Sequence, residues 1–133
     1  MFNIIGILVL IFASVSYAED QIKITGSYTY RTDEQSQEII GDLACFTPDS
    51  ASKKLIPRQE NDRRDVWFCF NNSEQALKLL KVKSELNNKC GYEAEAKVII
   101  KDYKVYSGEG DGFDTANLVS VTTVAPQKII SCD

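Results

Sequence analysis

Residues 93–106 read EAEAKVIIKDYKVY. Ala94, Ala96, Val98 and Ile100 alternate with Glu93, Glu95, Lys97 and Lys101, and then Tyr103 and Val105 continue on the opposite parity. A strand with one apolar face alternates with period two, so a change of phase is what a bulge produces, and a bulge bends the strand strongly. A long strand bent near its middle suits a sheet that closes on itself.

Outward from this strand the chain punctuates itself into elements. Gly108-Glu109-Gly110-Asp111-Gly112 reads as a turn, Phe113 to Val124 as the last strand, and Pro126 precedes a short tail to Cys132. Toward the N-terminus, residues 71–83 carry the apolar stripe Ala76, Leu77, Leu79, Leu80 and Val82, with Lys78, Lys81 and Lys83 toward solvent. That spacing predicts one helix of about three turns. Ser73 or Asn72 is placed to cap it, with Glu74 at the positive end of its dipole.

Asp65 to Phe70 reads as a strand with Val66, Phe68 and Phe70 on one face and Trp67 and Cys69 on the other; two apolar faces imply cover on both sides. Glu38 to Phe46, rich in Ile39, Ile40, Leu43 and Phe46, reads as the strand before it, after a polar turn at 32–37. Ile22, Ile24, Gly26, Tyr28 and Tyr30 alternate with polar residues and read as the first strand. Gly26 within that strand predicts a bulge or a sharp bend.

The order is three strands, a helix, then two strands. The expected fold is mainly β with one helix: a five-stranded, OB-like, partly open barrel with the helix between strands three and four. An α+β sheet with one packed helix is the alternative. The segments Trp67-Phe68-Cys69-Phe70, Ala76-Leu77-Lys78-Leu79-Leu80, Ala96-Lys97-Val98-Ile99-Ile100 and Leu118-Val119-Ser120-Val121 together resemble small bacterial periplasmic domains of uncharacterised function with OB-like folds. The resemblance covers the C-terminal half of the chain. Ala96 and Lys101 stand where such domains would have a glycine, and the histidines some of them carry before the last strand are missing. It implies an envelope location and a small barrel, and no activity.

Residues 1–18 hold an apolar run from Ile4 to Ala13 and end in Ser16-Tyr17-Ala18, the small-x-small pattern at which a signal peptide is cut. The run is short for a membrane span, which needs about 20 apolar residues. No Lys or Arg precedes it, so an uncleaved anchor is the competing reading. Cleavage after Ala18 leaves residues 19–133 as a single domain in the periplasm or secreted space, without stable membrane insertion. Cys45, Cys69, Cys90 and Cys132 all follow the leader, and an even count in an exported domain implies two disulfides. Three pairings are possible. Cys45–Cys69 with Cys90–Cys132 is preferred, because Cys45 and Cys69 close two neighbouring strands.

Composition excludes several chemistries. With 15 basic and 19 acidic side chains the net charge is −4, which suits nucleic acid and anionic membrane poorly. There is no histidine, so Ser-His-Asp and Cys-His catalysis and His-ligated zinc are removed. No GxxxxGK phosphate loop and no C-x-x-C knuckle occurs. No catalytic residue, metal or cofactor is predicted.

What is left is acidic, basic and aromatic. Glu93 with Glu95, and Glu109, Asp111 and Asp114, are the carboxylate groupings; their plain reading is a solvated strand face and an acidic turn. Tyr28, Tyr30, Tyr103 and Tyr106 could form a stacking platform, although core packing is the commoner use. Asn71-Asn72-Ser73 matches the glycosylation sequon and is better explained as a helix start. The stretch 47–64 is polar, long for a connection, and carries Lys53, Lys54, Arg58, Arg63 and Arg64 against fewer acids, as a solvated loop or a basic contact surface would. The sequence therefore predicts a non-catalytic exported binding module that contacts a protein or an envelope glycan, an inhibitor or immunity-type protein being one form. The alternatives are a carboxylate-dependent glycan-acting enzyme and a structural assembly subunit.

Overall fold

A computed structural model describes residues 20–83, 89–108, 110 and 112–132. The expected leader, 1–18, lies outside the described residues, as do Glu109 and Asp111. The described chain is mainly β. Its elements are β1 (Ile22–Arg31), α1 (Glu34–Ile40), β2 (Ala44–Pro48), α2 (Ser50–Lys53), β3 (Phe68–Phe70), α3 (Ser73–Leu79), β4 (Lys89–Lys104), β5 (Asp114–Val124) and β6 (Lys128–Ser131).

The pairings nearly return on themselves. β1 runs antiparallel to β2 along one edge and to β4 along the other. β2 pairs with β3, β3 pairs in parallel with β5, and β5 pairs with β4. The six-stranded mixed sheet thus forms a partial ring, with β6 added to the start of β4. β5 and β6 follow one another along the same edge of β4, joined by the bond from the Ala125 N–H to the Glu95 carbonyl, 2.8 Å. Pro126 breaks the ladder between them, since it has no N–H to give.

The bend in β4 lies where the phase of the sequence changes. The register against β5 shifts between Lys101 and Lys104, and Asp102 there has a φ of +54°. Asp tolerates this left-handed region better than most residues, and its carboxylate accepts a bond from the Asn117 amide at 3.2 Å. Two further shifts, at Lys97/Val98 and Ile99/Ile100, add to the bend.

Gly26 has a different role from the expected bulge. Both ladders pass it in register, opposite Pro48 on one side and Ala96 on the other. A Cβ there would lie 2.2 Å from the Thr47 carbonyl oxygen and 2.7 Å from the Pro48 Cα. Neither backbone can retreat without opening a ladder. Gly26→Ala is therefore expected to cost about 2–3 kcal/mol, the scale of an overpacked core, read as a fall in the urea midpoint.

Four sequence expectations are corrected here. The strand placed over Glu38–Phe46 begins only at Ala44, because residues 34–40 are helical. The Asp33 carboxylate caps that helix by accepting the Ser36 N–H at 3.1 Å, and Gly41, at φ +83°, closes it on the Gln37 carbonyl. No residue of α1 is buried, and Ile39 is 71% exposed, so its local capping signals outweighed the strand propensity of Ile39-Ile40. The chain accordingly has three short helices among the described residues, where one was expected. The third strand shortens to Phe68–Phe70, and the tail to Cys132 contributes β6 by pairing with the start of β4, so the expected five strands are six.

α3 holds its place through unexpected bonds. Asn72 stands at the N-cap position, but its side chain makes no cap bond. The Asn72 amide instead takes both the N–H and the C=O of Leu118, each at 2.8 Å, as a further strand residue would. The Ser73 hydroxyl accepts the Ala44 N–H at 3.0 Å. These bonds fix α3 at the end of the ring where β1 ends and β2 begins, with Ala76 and Leu80 buried. The helix ends in a Schellman-type turn: Val82 N–H to Leu77 O, 3.0 Å, and Lys81 N–H to Lys78 O, 3.1 Å. Lys81 sits there at φ +57°. Lys81→Gly should raise stability by about 0.5–1 kcal/mol, because glycine adopts that conformation without a Cβ clash; a thermal melt measures it.

The core fills the ring. Phe46, Phe68 and Phe70 pack with ring centroids 5.5–6.2 Å apart, between Tyr28 and Ile24 of β1, Val98 and Ile100 of β4 and Leu118 of β5. The disulfides are Cys45–Cys69 and Cys90–Cys132, the preferred pairing. The first joins residues directly opposite in the β2–β3 ladder; the second fastens the end of β6 to the start of β4.

Candidate binding cleft

Because β3 and β5 are parallel, the segments that lead into them, 57–67 and the described residues of 105–113, meet at the end of the ring opposite α3. Asp114, the first residue of β5, is the hub of that end. Its side chain is 1% exposed. One carboxylate oxygen accepts the Tyr103 hydroxyl at 2.5 Å and the Arg58 guanidinium at 2.8 Å; the other accepts the Tyr106 N–H at 2.8 Å. Asp114 shares parity with the buried Ala116 and Leu118, which is why it points inward. The acidic-turn reading of Asp114 is thus corrected.

Arg58 links this carboxylate to a second. It lies 3.3 Å from Asp62, one helical turn on in sequence, and donates to the carbonyls of Arg64 (3.0 Å) and Asp65 (3.3 Å). Asp62 in turn holds the Arg64 guanidinium in a fork, at 3.0 and 2.9 Å, and Arg64 also stands 3.8 Å from Asp114. Two cations and two anions therefore alternate. Arg58 Nε is buried without a partner among the described residues.

The network sets its own ionisation. Bonds from the Arg64 side chain, with the Arg64 N–H and the charges of Arg58 and Arg64 adding, hold the Asp62 carboxyl well below the usual carboxylate range. Burial opposes the charge on Arg58, but its bonds to Asp114 and the nearby acids more than offset this and raise its pKa. Burial first, and then Asp114, pushes the Tyr103 hydroxyl up, so it remains a donor. The sign for stability follows from Asp62. Its contribution is complete above the ordinary carboxylate pKa of about 4 and is lost as pH falls through the depressed folded value. Asp62→Asn should flatten the acid limb of a plot of urea midpoint against pH between about 2 and 5.

Above this network the two segments flank an open cleft of about 930 Å³. One wall presents Pro57, Gln59, Asn61 and the 46% exposed Arg64. The other presents Val105, Tyr106 and Ser107 with the backbone of Gly108, Gly110 and Gly112. Gly108 and Gly112 are there for contact: a Cβ on Gly112 would fall 2.1 Å from the Tyr106 ring, and one on Gly108 2.8 Å from its hydroxyl. Beside them Trp67 stacks on Phe113 at 5.8 Å.

The five cations of the 47–64 stretch separate in the structure. Arg58 is turned inward, its side chain 11% exposed, and Arg64 is shared between the cleft and Asp62. Lys54 and Arg63 are exposed and Lys53 half-buried, with no ion pair to the described residues. Glu93 and Glu95 lie exposed on β4. The tyrosines do not assemble into one platform: Tyr28 is in the core, Tyr103 meets Phe68 edge-on, and Tyr30 is half-buried with its hydroxyl on Asp42 and pushed up to about 12 by burial and that carboxylate. Asn71 of the sequon is exposed at the turn into α3.

Among the described residues no three metal-capable side chains come together, and no helix is long and apolar enough to cross a membrane. Sequence reasoning missed the cleft because its two walls are irregular segments about fifty residues apart. Compared with family models, curated proteins and solved structures, the chain matches none.

Proposed function

We propose that the chain is an exported, non-catalytic binding module, an OB-like partly open barrel whose partner, a protein or an envelope glycan, seats in the cleft lined by Pro57, Asn61, Arg64, Val105 and Tyr106. The carrying observation is that the ionisable groups at the cleft floor are locked to one another: Asp114 has three donors and Asp62 a bidentate arginine. Such groups hold shape and charge; they are poorly placed to move protons, as a general acid must. The glycan-acting enzyme would need two carboxylates facing across a cleft about 5–10 Å apart, one with a raised pKa, and Asp62 is shifted the other way.

The return of the strand pairings to β1, with α3 between β3 and β4, supports the OB-like reading and its likeness to periplasmic domains. The two disulfides and the 1–18 segment support a periplasmic or secreted address. Net charge −4 speaks against nucleic acid.

Cross-linked capture from an envelope or culture extract tests the reading. The double variant Asn61→Ala/Val105→Glu changes exposed cleft residues and should abolish capture, while Lys53→Glu/Lys54→Glu should keep most of it. Capture lost only with the lysine pair would place the contact on the basic surface instead.

A further inference from the structure

Asn71-Asn72-Ser73 is the only Asn-x-Ser/Thr triplet in the sequence, and the fold gives its three residues different tasks. The Asn72 amide holds the backbone of Leu118, and the Ser73 hydroxyl accepts the Ala44 N–H. These bonds fix α3, so the start of the helix accounts for two residues of the triplet. It does not account for the third. The Asn71 N–H donates to the Ala116 carbonyl at 2.9 Å, which carries the parallel β3–β5 ladder one step past Phe70. Phe68 and Phe70 face the core, and successive side chains of a strand point to opposite faces, so Asn71 points outward. Its side chain is exposed and bonded to no described residue.

In an exported chain, an asparagine two residues before a serine or threonine is the acceptor for an N-linked oligosaccharide, a bulky group that belongs on the surface. The surroundings of Asn71 suit one. It shares an open hollow of about 430 Å³ with Asn72, Ser73, Glu74, Gln75 and Lys78, all of them polar. The hollow lies at the α3 end of the ring, so a glycan there leaves Asn61 and Val105 of the cleft uncovered. From these features, and resting on the export proposed above, we propose that Asn71 is an N-glycosylation site, modified in a secretory compartment from a lipid-linked oligosaccharide. In that step the Asn71 Nδ2 forms a bond to the anomeric carbon of the sugar. The bond from that carbon to the lipid pyrophosphate oxygen breaks, the pyrophosphate leaves with its electron pair, and the amide nitrogen loses one proton. Nothing is oxidised or reduced. The triplet is read through its hydroxyl, and Ser73 is buried once the chain has folded, so the sugar is added before α3 docks.

The test is peptide mass spectrometry of the reduced protein, taken from the cells that make it and digested with peptide-N-glycosidase in heavy-oxygen water. That enzyme turns a glycosylated asparagine into an aspartate carrying one heavy oxygen. The tryptic peptide 65–78, bounded by Arg64 and Lys78, should carry the label at position 71. Before digestion the intact protein should exceed the mass of its bare chain. Asn71→Gln should remove the whole excess and leave the urea midpoint of the deglycosylated protein unchanged, because the Asn71 amide has no bond to lose. Peptide 65–78 found only with an unlabelled, unmodified Asn71 overturns the proposal. The N-terminal peptide keeps the two readings apart. A chain that begins at Glu19 with Asn71 bare leaves export standing and removes glycosylation; a chain that keeps Met1 and stays in the cytosol, with Asn71 bare, removes both.

Discussion

Asp114→Asn should lower stability by about 3 kcal/mol, near the lower end of what is lost when one partner of a buried ion pair is removed. The amide keeps the size of the carboxylate but not its charge. Arg58, 11% exposed, would then retain only Asp62 as a charged partner, and its buried Nε is already unpartnered. The Tyr103 hydroxyl and the Tyr106 N–H would trade a charged acceptor for a neutral one. Replacing both members, Arg58→Leu with Asp114→Leu, should cost clearly less than the sum of the single changes, since no charge is then stranded. Urea unfolding of the four proteins closes the cycle; strict additivity would show that Arg58 and Asp114 do not act as a pair.

The second large effect concerns the disulfides. Loop closure alone gives about 3.5 kcal/mol for a separation of 24 residues and about 4 kcal/mol for 42. Burial reverses that order. Cys69 is fully buried beside Phe68 and Phe70, in the short strand that connects β2 to β5 around the ring, so Cys45→Ala/Cys69→Ala also opens a gap in packed core. Cys132 is exposed, at the end of the added strand β6. Loss of Cys45–Cys69 should therefore be the more damaging of the two, with a lower melting temperature and a smaller change in ellipticity on melting. Loss of Cys90–Cys132 should chiefly release β6, seen as faster amide exchange at residues 128–131.

Much of this fold could be read from the chain because period-two alternation survives wherever one face is buried. The phase change between Ile100 and Tyr103, the doubly apolar Phe68-Cys69-Phe70 and the stripe of α3 each report a packing constraint directly. The opposition of Cys45 and Cys69 follows from strand order. The errors cluster where side chains speak to the backbone. Asp33 and Gly41 make a helix from residues with strand character, and Asn72 acts as a surrogate strand residue across 46 positions. Gly26 was legible as special, but the reason, contact with Thr47 and Pro48 across a ladder, needs the register.

The cleft was the least legible part. Arg58, Asp62 and Arg64 looked like members of a basic loop, since composition cannot tell an arginine that faces solvent from one that faces a buried carboxylate. One signal was present: Asp114 sits in phase with Ala116 and Leu118, on the parity of the core, and an acid there requires a cation from elsewhere in the chain. The Arg58/Asp62 spacing was the second half of that signal.

The most direct test of the cleft as the binding site is photo-cross-linking in living cells. A benzoyl-phenylalanine placed at Asn61 or at Val105 should form a covalent adduct, and one placed at Ile39, 71% exposed on α1, should form none. Adducts from Ile39 with none from Asn61 or Val105 would contradict the assignment and move the binding surface to the opposite end of the ring.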